Sequence, residues 1–117
     1  MSTLTFADSG VLMAAARGLP DVSRRAIDVL DDPNRTFASS DFVRLELEPK
    51  AIYLGRKAEA AFYDAFFSRV LDWPSDVSAL ITSARKLGQE YGLAAMDALH
   101  MAAAIQTGAT EFATTEK

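Results

Sequence analysis

The chain predicts an α/β fold, a short and mainly parallel sheet flanked by helices, on three observations. Short β-type runs alternate with longer helical stretches from one end to the other. The runs are apolar through their middles, as strands covered on both faces are. The stretches between them repeat apolar residues at helical spacing and stop at Gly or Pro.

Leu4-Thr5-Phe6-Ala7 is the first strand, and Asp8-Ser9-Gly10 provides the turn that follows it. Val11 to Arg17 is helical and ends at Gly18-Leu19-Pro20. Asp21 to Leu30 follows, started by its aspartate, patterned by Val22, Ala26, Val29 and Leu30, and stopped by Asp31-Asp32-Pro33. Arg35 to Ser39 is the second strand. Ser39-Ser40-Asp41 supplies hydroxyl and carboxylate caps for a helix from Phe42, which Pro49 should bend or split. From Arg56 a helix carries Phe62, Tyr63, Phe66 and Phe67, an aromatic stripe suited to the core or to a dimer face. Arg69 to Trp73 is a candidate short strand, and Pro74-Ser75-Asp76 opens a helix running to Tyr91. Leu93 to Ile105, bracketed by Gly92 and Gly108, is apolar on nearly every side and is expected to be buried. Phe112-Ala113-Thr114-Thr115 is the last strand.

The totals bound the classes open to the chain. Its 117 residues suit one domain spanning 1–117. Twelve basic against sixteen acidic residues give net −4, which argues against a protein that coats nucleic acid but not against an enzyme that cuts it. There is no cysteine, so thiolate metal sites are excluded, and a cytoplasmic location is expected, with no membrane segment.

Four carboxylates carry the chemistry. Asp8 stands where the first strand ends and Glu116 where the last one ends, at the carboxyl ends where such sheets bind ligands. Asp97 opens the helix before that last strand, with no Lys or Arg within a turn of it, and Glu46 shares a face with Phe42 and Val43, so it is expected to point inward rather than to water. Brought together unpaired, these acids repel one another and call for a cation. Oxygen donors suit Mg²⁺ or Mn²⁺. Each acid also has a plain structural reading. Asp8 and Asp41 can cap helices, Glu46 can pair with Lys50, Asp97 can sit on the helix dipole, and Glu116 can be a solvated terminal acid. Glu48 is better paired with Arg44, and His100 is best read as a hydrogen-bonded core histidine. Arg44, Lys50, Arg56, Lys57, Arg85 and Lys86 could steer a phosphodiester, or be ordinary solvated helix faces.

In order, Phe6-Ala7-Asp8-Ser9, Ser40-Asp41-Phe42-Val43-Arg44-Leu45-Glu46, Gly92 to Ala102 with its Asp97-Ala98-Leu99-His100, and Phe112-Ala113-Thr114-Thr115-Glu116-Lys117 resemble PIN-domain ribonucleases, above all the VapC toxins of toxin–antitoxin pairs. The resemblance implies a three-layer α/β/α fold and Mg²⁺- or Mn²⁺-dependent cleavage of RNA. It implies inhibition by a cognate antitoxin, and homodimers. It maps the family's acids onto Asp8, Glu46, Asp97 and Glu116, with Thr114 as the hydroxyl before the last acid and Ser9 in support. Glu116 replaces the usual aspartate, and the family ordinarily continues past Lys117 into an edge strand. These departures keep open a catalytically silent PIN-like module that binds RNA or protein. A receiver-type signalling domain is a poorer fit, because Asp72 after Arg69-Val70-Leu71 is a weak phospho-acceptor.

Overall fold

The computed structural model describes residues 2–18 and 21–115. A parallel three-stranded sheet in the order β2-β1-β3 lies at its centre. The strands are β1 (Thr3–Ala7), β2 (Arg35–Ala38) and β3 (Glu111–Ala113). Thr5, Phe6 and Ala7 in the middle strand are wholly buried, as a strand covered on both sides must be. Six helices flank the sheet among the described residues: α1 (Ser9–Arg17), α2 (Ser23–Leu30), α3 (Asp41–Tyr53), α4 (Lys57–Ser68), α5 (Val77–Tyr91) and α6 (Ala95–Thr107). None of them is long and apolar enough to cross a membrane.

Local chemistry explains most of the boundaries. Asp8 caps α1, its Oδ1 accepting the Ser9 N–H at 2.8 Å, so α1 begins directly after β1 and Gly10 lies inside the helix rather than in a turn. Ser40 caps α3 and Asp76 caps α5, while Asp41 is the first-turn acid of α3 instead of its cap. Asp21 does not cap α2; its φ of 69° places it in a left-handed turn two residues before the helix. Gly92 and Gly108, also left-handed, end α5 and α6.

Two expectations are corrected. Pro49 does not split α3; the helix runs on to Tyr53. The inner stripe Val43, Leu47 and Ala51 is buried, whereas Leu45, whose carbonyl would have taken the missing Pro49 N–H, is exposed to water. The Arg69 to Trp73 run forms only a single parallel bridge, Ala38 to Asp72. Two backbone bonds flank it, Leu71 N–H to Phe37 O at 2.9 Å and Ser39 N–H to Asp72 O at 3.1 Å.

The aromatic stripe of α4 belongs to the core. Phe37 meets Phe66 edge-on at 5.6 Å between centroids, Phe66 meets Phe67 at 5.4 Å, and Tyr63 is fully buried. Each large side chain so buried contributes about 1.5–3 kcal/mol. A buried acid on the same helix is fully occupied. Glu59 receives Arg17 Nε at 3.2 Å and the Tyr63 hydroxyl at 2.8 Å, with Arg56 at 3.8 Å, and this cluster fastens α1 to α4.

Candidate active site

The carboxyl ends of β1 and β3 lie side by side, held by the Asp8 N–H donating to the Ala113 carbonyl at 2.9 Å. Asp8 therefore emerges next to Thr114, whose Oγ1 donates to Asp8 Oδ2 at 3.4 Å. Ser9 adds its N–H and, at 3.5 Å, its hydroxyl to Asp8 Oδ1. The segment leaving β3 passes close over the first turn of α1. A Cβ on Gly10 would stand 2.7 Å from Thr115 Oγ1, so any larger residue there would make that hydroxyl turn aside.

The first turn of α6 closes the site. A cavity of about 220 Å³ is lined by Asp8, Asp97, His100, Thr114, Leu93 and Phe112, together with Met101. Among the described residues no Lys or Arg lines it, and Asp97 makes no hydrogen bond or ion pair. The expectation that Asp97 is buried is corrected. Its residue is exposed, because α6 buries a stripe of Ala98, His100, Ala102, Ala103 and Ala104 and leaves its opening turn and Ile105 in water. Alanine gives a helix little apolar area to bury, so an alanine-rich face does not compel burial all round.

The expectation that Glu46 points inward is corrected: it is exposed on α3, and from there it meets one residue of the cavity wall. Its Oε1 lies 3.0 Å from His100 Nε2, and that contact, not Lys50, is its partner. Glu48 pairs with Arg44 at 3.0 Å as its spacing predicts, and Arg44 also reaches Asp64 and the Phe67 ring. Asp8 and Asp97 are thus brought to one cavity, and Glu46 is tied to a residue of its wall. Glu116 lies outside the described residues. Among those described, no three His, Asp or Glu side chains gather closely enough to hold an ion by themselves.

Two acids still form a chemically suitable donor set for a hard divalent cation. Magnesium is usually held by one or two carboxylates, with water and substrate phosphate filling the remaining positions. A cavity lined by two acids, with hydroxyls around Asp8, fits that requirement.

The sequence sets His100 in the core, one turn from Asp97 and close to the same face, but carries no local signal for its partner Glu46, which comes from a different helix.

The chain belongs to the PIN domain family, which matches residues 5–117. No curated protein matches it in sequence. Among solved structures it is similar to VapBC2 from Rickettsia felis bound to a DNA fragment from the promoter, at a TM-score of 0.71 and 22% identity over 97% of this chain and 89% of that one. It is also similar to FitAcB from Neisseria gonorrhoeae, at a TM-score of 0.62 and 21% identity over 96% of this chain and 87% of that one. These likenesses carry the fold; the chemistry rests on the site.

Proposed function

We propose that the protein is a metal-dependent endoribonuclease of the VapC kind, the toxin of a toxin–antitoxin pair. One observation carries the reading: two carboxylates without basic partners among the described residues, Asp8 and Asp97, share a cavity at the carboxyl ends of parallel strands. Asp8 and Asp97 would hold Mg²⁺ or Mn²⁺, Glu46 would support them from α3, and Glu116 would complete the set. Bound there, the ion supplies charge neutralisation at the phosphodiester and an acidified water. The chain's own part is orientation. Thr114 and Ser9 fix the Asp8 carboxylate, and Asp97 is left free to accept.

Arg85 lies beside this site, in a groove of about 490 Å³ that shares Leu93 with the acidic cavity, and would guide the RNA backbone toward it. A cognate antitoxin and a second copy of the chain are the protein partners. The fold likeness to VapBC2 and FitAcB supports the first of these. The outer face of α3, where Leu45, Ile52 and Tyr53 are exposed, offers apolar surface for protein contact.

A second reading has its own support. With no three ligating side chains gathered among the described residues, the domain could bind RNA or protein without turnover. Purified protein incubated with structured RNA separates the two. The ribonuclease reading predicts cleavage with Mg²⁺ or Mn²⁺, none with chelator, and a loss of about 100-fold or more in a folded Asp97→Asn variant. Cleavage unchanged in that variant overturns the assignment, and binding without any cleavage favours the silent module.

A further inference from the structure

We propose that His100 is a positioning residue that sets the Glu46 carboxylate for the ion, an inference that rests on the ribonuclease reading above. The imidazole, which lines the acidic cavity, is almost wholly enclosed, at 1% exposure, and is the sole histidine of the chain. Its ring packs 6.4 Å from that of Phe6, which itself stacks on Phe112 at 5.6 Å, so the ring plane is held by the central and edge strands. One side of that wall is the cavity of Asp8 and Asp97. On the α3 side Nε2 meets Glu46 Oε1 at 3.0 Å.

The pairing assigns the roles of the atoms when Glu46 is ionised. An ionised carboxylate only accepts, so the hydrogen between the pair belongs to Nε2. Nδ1 has no partner among the described residues, consistent with the tautomer that leaves it a bare lone pair. Glu46 is thereby held by one oxygen, and its Oε2 has no hydrogen-bond partner among the described residues. Left alone, a glutamate side chain at the water-facing rim of α3 would sample many rotamers. Tied at Oε1, it presents Oε2 in a restricted arc. Histidine–carboxylate pairs behind a metal act in this way, and removing one member typically lowers affinity or activity 10- to 100-fold.

The test uses metal-stripped, full-length protein and Mn²⁺ as the probe, with binding followed by calorimetry and folding by circular dichroism. His100→Phe keeps the ring bulk and removes the donor; it is expected to weaken Mn²⁺ binding at least about tenfold while remaining folded. His100→Gln, whose Nε2 can donate from a similar position, is expected to recover most of the affinity, which a merely structural role would not predict. In the wild type without metal, long-range ¹H–¹⁵N spectra of the single imidazole should show the Nε2–H tautomer, and Glu46→Ala should shift that signal. A wild type that binds Mn²⁺ no more tightly than His100→Phe overturns the positioning role alone. An Nδ1–H tautomer does the same. A wild type that binds no Mn²⁺ overturns the metal-dependent reading and this inference with it.

Discussion

Glu111 shows how one residue can tie pH to stability away from the site. Arg35 donates to it through Nε at 2.7 Å and Nη2 at 3.1 Å, and Thr5 donates its hydroxyl at 2.6 Å. The Arg35 guanidinium, and then the Thr5 hydroxyl, hold its carboxyl down at about 2 against an ordinary 4.5. In the unfolded chain that carboxyl takes its proton near 4.5, so between about 4.5 and 2 the unfolded state holds more protons and acid favours unfolding. The contribution is therefore complete above the unfolded value and is lost as pH falls toward the folded one. Denaturant midpoints measured across that range should fall less steeply in Glu111→Gln than in the wild type; parallel slopes would show that the Arg35 contact contributes nothing. At the same scale, Asp8 was legible in the sequence as a cap and as a candidate ligand. The structure shows the cap at Oδ1, while Oδ2 meets Thr114.

Among the elements, α3 matters most because it delivers Glu46. Its start depends on Ser40, a buried residue whose Oγ accepts the Val43 N–H at 3.3 Å. Ser40→Ala should cost about 1 kcal/mol of stability by chemical denaturation, and a change below a few tenths would mean that water replaces the cap. Caps of this kind were readable directly, because Ser and Asp before an apolar run have a local reason to be there. The fate of Pro49 was not. Whether a proline breaks a helix depends on which face carries the freed carbonyl, and that is settled by the packing of Val43, Leu47 and Ala51 rather than by the proline's neighbours in sequence. The same holds for Arg69 to Trp73. The run there makes one bridge, at the last residue of β2, and no ladder.

Across the whole molecule, the parallel order β2-β1-β3 does the assembling. It puts the carboxyl ends of β1 and β3 next to each other, and residues 8 and 114 come together although nearly the entire chain separates them. The order of the acids along the sequence was enough to anticipate Asp8 and Asp97 at a common place, because strand ends in such sheets have a fixed side. It was not enough to anticipate Glu46 against His100, a contact made by the packing of α3 on α6 and by no local pattern. Nor did apolar composition reveal that α6 would leave Asp97 in water, since small side chains weigh little in burial. The central claim is that Asp8 and Asp97 together form a divalent-cation site, and calorimetric titration of metal-stripped protein with Mn²⁺ addresses it most directly. The wild type should bind, and Asp8→Asn and Asp97→Asn should each, while folded, bind more than about tenfold more weakly. Equal binding by the wild type and both variants would contradict it.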